Sequence, residues 1–257
     1  MGSAIATVLS EALCCICCGV YVKLKVPMLC LGKKWFVFER RILWRTFSYG
    51  ITSALQQMCV QLGKILVQAI INVQGVAFIA AFTAINRVDD FVLSPEGNIA
   101  HATTTFIAQN RGAGDVGRVK KGYRCGIIME IIFSAAVSVA VYFLAQPLMR
   151  LFVTEDSAEV VALGVSYLKL IAFMYIMPAL TNIVQGFFRG MGDLKVTLIS
   201  TITNMGVRVI AAHILISMMG KGFYALAWSN FWGWVFMLLL EVPLLVRNMV
   251  KLGRGEL

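Results

Sequence analysis

Six polar side chains, Ser53, Gln57, Gln61, Lys64, Gln68 and Asn72, recur at spacings of three and four along an otherwise apolar stretch. At about 100° per residue, this spacing puts them on one face of a helix. Asn86, Asp90, Gly97, His101 and Thr104 repeat the pattern further on. Arg87 lies one turn before Asp90, within reach at i, i+3, and Asp89 sits beside it. Thr197, Thr201, Asn204 and Arg208 make a third stripe. Gln, Asn and Thr on apolar helices can do two kinds of chemistry. They can bond helix to helix in a tight seam, or line a water-filled cavity. A charge at the centre of a bilayer costs about 2.5–3.5 kcal/mol on insertion scales, so Lys64, Arg87, Asp89, Asp90 and Arg208 point to a cavity or a functional charge network. The expected cavity residues are therefore Gln57, Gln61, Lys64, Gln68, Asn72, Arg87, Asp89, Asp90, His101, Asn204 and Arg208. His101 is either a proton carrier or a packing residue. Glu130 and Glu241 are placed nearer the membrane interface or against a packing partner.

These stripes need helices that hold them in lipid, and the composition supplies them. Of 257 residues, 59% are hydrophobic and 14% charged, with a mean hydropathy of +0.80. An average soluble domain is about half apolar and a quarter charged, so too few polar residues remain here to cover a water-facing surface. Disorder, collagen and coiled coil fail on the same numbers. The expected fold is all-α, a polytopic transmembrane bundle. Apolar windows long enough for a hydrocarbon core of about 30 Å fall at 4–22, 47–72, 76–108, 126–144, 160–188, 196–218 and 223–246, seven in number. Gln109-Asn-Arg-Gly-Ala-Gly-Asp115 and Arg189-Gly-Met-Gly-Asp193 end two of them with glycines able to take the left-handed C-terminal conformation. Asp156 and Glu159 resemble a capping pair, and Pro95 can kink the third helix.

Basic residues alternate between loops. Seven follow the first helix (Lys23, Lys25, Lys33, Lys34, Arg40, Arg41, Arg45) and five follow the third (Arg111, Arg118, Lys120, Lys121, Arg124). Arg189 and Lys195 follow the fifth, and Arg247, Lys251 and Arg254 lie near the end. Cytoplasmic loops collect such charge, so these loops and the carboxyl terminus are expected in the cytoplasm of a plasma-membrane protein. The net charge of +10 is then explained by topology, and no nucleic-acid partner is expected. Cys14, Cys15, Cys17 and Cys18 read as small apolar residues ahead of palmitoylation or metal binding. Catalysis is not expected. Asp89 and Asp90 are adjacent and point about 100° apart, so they cannot form a facing dyad. Only two histidines are present, and no phosphate loop, metal-ligand cluster or nucleophile elbow occurs.

The first helix begins almost at Met1 and is followed by a long basic segment. The expected organisation is a last helix of one lobe over 1–22, a cytoplasmic linker over 23–46, a six-helix lobe over 47–246 and a tail over 247–257. The chain thus reads as part of something larger, lacking an amino-terminal lobe that another segment or chain would supply.

The two glycine-ended motifs, together with Gln185-Gly-Phe-Phe ahead of the second and Ala80-Ala-Phe-Thr-Ala84 leading into Arg87-Val-Asp89, resemble those of the MATE family (multidrug and toxic compound extrusion). The resemblance implies two six-helix lobes facing across a cavity, this chain matching the last helix of the first and all of the second. It implies export of amphipathic or cationic organic compounds in exchange for protons or sodium ions, with the bilayer as partner and no cofactor. The chain departs from the family pattern where the seventh helix carries Lys64 in place of a carboxylate, the tenth carries no acidic residue, and Gly50-Ile-Thr52 stands for Gly-x-Pro. Two other readings remain open: a lipid-linked saccharide flippase of the same superfamily, and a truncated, non-transporting membrane remnant.

Overall fold

A computed structural model describes residues 2–26, 38–153, 158–219 and 223–254. All its regular structure is helical: α1 (Gly2–Lys25), α2 (Arg40–Asn72), α3 (Val76–Gly112), α4 (Val116–Phe152), α5 (Ala158–Ala172), α6 (Ile176–Gly190), α7 (Leu194–Met219) and α8 (Phe223–Gly253). By length and composition α1, α2, α4 and α7 can each cross a membrane, and α5 with α6 make a fifth span bent by 55°. Helices α3 and α8 fall outside that measure. In α3 the charged and polar content is the reason. The chain divides into two units, Met1–Ser48 and Tyr49–Leu257. In the first, α1 presents Val8, Leu9, Leu13 and Ile16 on its exposed surface, as a lipid-facing helix does.

The helices outrun the apolar windows that announce them. Helix α4 begins at Val116, ten residues before the expected 126, because Arg118, Lys120, Lys121 and Arg124 continue the helix beyond the hydrocarbon-length core. Residues 23–25 and 40–46 of the expected linker are helical too. Asp156 lies outside the described residues, so the capping pair does as well.

The continuous helix expected over 160–188 is broken. Pro178 has no N–H to give the Met174 carbonyl four residues back, which instead receives Met177 N at 2.9 Å. Proline is well tolerated in the first turn of a helix, so the chain restarts as α6 at Ile176 after the bend.

In the second unit α3 packs on α4, α5 and α6, α7 pairs with α8, and α6 also touches α4, α7 and α8. One apolar core gathers Ile71, Ile85, Tyr167, Leu168, Ile171 and Tyr175, and a second gathers Ile107, Tyr123, Phe187 and Phe188. Lipid tails are as apolar as leucine, so close packing and interhelical hydrogen bonds must hold these helices together. Gly186 and Gly190 of α6 supply the close approach. A Cβ on Gly186 would stand 2.8 Å from the Ala100 carbonyl oxygen, and one on Gly190 would stand 2.9 Å from that of Thr104. Thr104 Oγ1 donates across the contact to the Gly186 carbonyl at 3.0 Å.

Two turns share one build. After α3, Ala113 N bonds Gln109 O, Gly114 N bonds Arg111 O and Asp115 N bonds Asn110 O. After α6, Met191, Gly192 and Asp193 repeat this on Phe187, Arg189 and Phe188. Gly114 and Gly192 have φ of +74° and +73°, the left-handed conformation expected of them. Asp115 caps α4, accepting from Arg118 N at 2.9 Å, and Arg111 Nη1 donates to the Met191 carbonyl, joining the two turns.

Candidate substrate cavity

The polar stripe of α2 lies on its open side: Gln57, Gln61, Lys64 and Asn72 are exposed, while Gly63, Val67 and Ile71 are buried against the bundle. Gly63 allows this fit, since a Cβ there would collide with Met205 of α7. Gln61, Lys64 and Gln68 from α2, Phe82 and Asn86 from α3, and Arg208 from α7 surround a cavity of about 240 Å³. Three helices that bear the expected stripes therefore meet at one opening.

Its charges are arranged in pairs. Lys64 Nζ lies 3.5 Å from Asp90 Oδ1, with side chains 50% and 71% exposed. Asp90 thus pairs across helices with Lys64, and no ion pair joins it to Arg87 among the described residues. The Arg208 guanidinium lies within electrostatic reach of Asp89 and Tyr167, while its Nε has no hydrogen-bond partner. Tyr175 donates to Asp89 Oδ1 at 2.7 Å, and Asn230 Nδ2 donates to the Tyr167 hydroxyl at 2.9 Å. Gln68 Nε2 donates to Asn72 Oδ1 at 2.8 Å, linking Asn72 to the wall at one remove.

Other expected residues lie apart. Gln57, Arg87 and His101 are exposed but do not line the cavity. Asn204 is buried where α8 passes α7 at Gly233, whose added Cβ would stand 3.1 Å from the Asn204 carbonyl oxygen. Thr201 is also buried, and belongs to a seam of hydrogen-bonded side chains rather than to the cavity. There Gln56 Nε2 donates to Gln185 Oε1 at 3.1 Å and to Thr201 Oγ1 at 2.9 Å, and Arg189 Nη2 reaches Gln185 Oε1 at 3.0 Å. Seam and cavity, alternatives in the sequence, coexist along α2.

Sequence reasoning missed Gln56, Gln185, Tyr167, Tyr175 and Asn230. Glu130 and Glu241, expected near the membrane interface or against a packing partner, are both fully buried. Glu241 sits beside Ser200 and Gln185, within electrostatic reach of Arg189. Among the described residues no cluster of three or more His, Cys, Asp or Glu could hold a metal ion.

Apolar helices packed through small residues, with a charged cavity on an open face, define a multi-pass membrane protein. The MatE family model matches residues 52–214, and the chain belongs to that family. It is similar to the probable multidrug resistance protein YoeA of Bacillus subtilis, 26% identical over 218 residues, covering 83% of this chain and 47% of that protein. It is also similar to the FAD transporter of Shewanella oneidensis, 28% identical over 156 residues, covering 60% of this chain and 34% of that protein. In fold it matches an outward-facing multidrug resistance MATE family transporter of the MOP superfamily with a TM-score of 0.88 at 20% identity, over 98% of this chain and 57% of that one. The chain spans less than half the length of the two curated relatives, 47% and 34%, and 57% of that structure.

Proposed function

We propose that the chain forms one lobe of a secondary antiporter that exports amphipathic or cationic organic compounds in exchange for protons or sodium ions. The observation that carries this reading is the cavity at which the polar faces of α2, α3 and α7 converge. Polar and charged side chains do not face hydrocarbon without cost, so an exposed stripe bearing Gln61 and Lys64 needs water, cargo or an opposing lobe. Alternating access requires two bodies that rock against each other around such a site. In this arrangement 1–22 would belong to the opposing lobe, 23–46 would link the two, and the basic loops would lie in the cytoplasm. Asp89, Asp90, Lys64 and Arg208 would form the charge network, and Gln61, Gln68 and Asn86 would face the cargo.

One observation favours a second reading, a carrier of pyrophosphate-bearing cargo such as a lipid-linked saccharide. The charged side chains on the cavity wall itself are Lys64 and Arg208, and neither Asp89 nor Asp90 is among its lining residues.

The test is resistance of an efflux-deficient bacterium expressing the chain together with the half that its relatives have and it does not cover. Resistance to cationic dyes, lost in Asp90→Asn at equal membrane abundance, supports the export reading. No resistance in any combination, with flipping of a pyrophosphate-linked lipid in vesicles, supports the second.

A further inference from the structure

Helices α4 and α8 both outrun the hydrocarbon core at the end of the bundle where basic residues gather. At about 1.5 Å per residue, the 31 residues of α8 measure about 46 Å against a core of about 30 Å, and α4 starts at Val116, well ahead of its apolar window. Both pack on α6, and little of either touches the other. Between them lies a groove of about 460 Å³, with Lys120 and Arg124 of α4 on one wall and Leu245, Val246, Met249 and Val250 of α8 on the other. Buried Tyr123 forms its floor, edge-on to Phe187 of α6 with ring centres 5.2 Å apart.

The groove has a charged mouth and an apolar length. Lys120 Nζ stands 2.9 Å from the place of a Cβ on Gly253, so the mouth lies where Lys120 meets the end of α8, and the missing side chain leaves room for the amine. One turn further in is Arg124. Beyond it the same stripe of α4 exposes Ile128 and Ile131, while α8 exposes Val250, Val246 and Val242 on its way into the core. No acidic side chain lines the groove, and neither Lys120 nor Arg124 has an ion-pair partner among the described residues. Their basic neighbours are engaged elsewhere: the Arg118 guanidinium lies 5.8 Å from the centre of the Phe106 ring, and Lys121 lines a separate pocket against α3.

We propose that this groove binds one phospholipid with a net negative headgroup, its phosphate held between Lys120 and Arg124 and one acyl chain laid along Val250 and Val246. Charge complementarity selects the head. Two cations with no carboxylate beside them hold an anion, whereas the ammonium of a zwitterionic head finds no acid at the mouth to pair with. Depth selects a lipid over a soluble phosphate compound, because the cations sit at the edge of the hydrocarbon core and the apolar walls continue from them into it. The groove shares no residue with the polar cavity, so it is independent of what that cavity carries.

The experiment is native mass spectrometry of the purified chain in detergent, titrated with palmitoyl-oleoyl phosphatidylglycerol or with phosphatidylcholine of the same chains. One tightly held phosphatidylglycerol per chain is expected, with phosphatidylcholine retained severalfold less. A basic residue near a membrane surface is worth about a fivefold change in binding, so Lys120→Gln and Arg124→Gln should each weaken retention about fivefold, and the double variant roughly thirtyfold. Val250→Trp, at an exposed position, keeps both charges and fills the groove, so it should lower retention too, and it decides the matter if the glutamine variants do not fold. The Arg247→Gln/Lys251→Gln variant removes two charges from the same end of α8 but none from the groove wall, and should change retention little. Equal binding of the two lipids by the wild-type chain overturns the proposal, as does undiminished retention in Val250→Trp. An equal loss in the Arg247→Gln/Lys251→Gln variant overturns it by showing a diffuse basic surface. Displacement of the lipid by excess glycerol phosphate would assign the two cations to a soluble anion, and a dimer that excludes lipid and is dispersed by Val250→Trp would assign the groove to a second copy of the chain; either result overturns it.

Discussion

The Tyr175 hydroxyl donates a 2.7 Å hydrogen bond to Asp89 Oδ1, tying the break in the α5–α6 span to the charged turn of α3. A bent span is a place where a helix can pivot, because its ladder is already interrupted. Asp89 also feels Arg208 on the cavity wall. The state of the cavity charges and the angle of the break therefore share one residue.

Removing this link tests its weight. Tyr175→Phe keeps the ring in its buried place and deletes only the donor, so the expected loss is about 0.6–2 kcal/mol, the range for interhelical hydrogen bonds in membranes. Thermal denaturation in detergent measures it. A double cycle with Asp89→Asn should show coupling of about 0.5–2 kcal/mol, and strict additivity would mean that the two side chains do not act as a pair.

Lys64 and Asp90 should behave differently. Their side chains are half-exposed or more, and exposed ion pairs contribute about 0–1 kcal/mol, so Lys64→Ala should leave Tm within a degree or two. Transport should nevertheless fall severalfold if Lys64 faces cargo. A Lys64→Ala protein with unchanged resistance at equal abundance would remove Lys64 from the path.

Some of this was legible in the residues and some was not, for physical reasons. Helical phase is a property of spacing alone, so Gln61, Lys64 and Gln68 could be put on one face, and the structure has all three around one cavity. A glycine after a helix end announces its φ, as Gly114 and Gly192 do. Burial is a property of neighbours. Gln56 and Gln57 are indistinguishable in sequence, yet α6 and α7 cover only Gln56. Glu96 and Glu130 lie 34 positions apart, and only the α3–α4 register makes them neighbours. The break at Phe173–Tyr175 did have a signal, Pro178, but an apolar run on both sides hid it.

The twin turns allow a matched comparison. Alanine in the left-handed conformation costs about 1–2 kcal/mol at either glycine. At Gly114 nothing else lies within 4 Å of the added Cβ. At Gly192 the Cβ would press on the Tyr49 hydroxyl at 3.2 Å and on Arg111 Nη1 at 3.3 Å, the arginine that joins the two turns. Gly192→Ala should therefore lower Tm more than Gly114→Ala, and equal losses would show that the Arg111 contact carries no weight.

The sharpest packing prediction concerns α6. In water, a Gly→Ala change inside a helix gains about 0.5–1 kcal/mol when there is room, because the unfolded chain loses freedom. Gly206 of α7 has room, with nothing within 4 Å of its Cβ position, so Gly206→Ala should be neutral or stabilising. Gly190 has none, since its Cβ would stand 2.8 Å from Ile107 Cβ and 2.9 Å from the Thr104 carbonyl oxygen, neither of which is a flexible side-chain end. Alanine there must push α6 off α3, stretch the Thr104–Gly186 hydrogen bond and loosen the second core around Phe187 and Phe188. Overpacking of this kind costs about 1–3 kcal/mol, so Gly190→Ala should lower Tm in detergent by several degrees while Gly206→Ala does not. If the two variants melt together, small residues on α6 do not set the α3–α6 distance, and the packing of α3 on α4 and α5 must hold Asp89 in place instead.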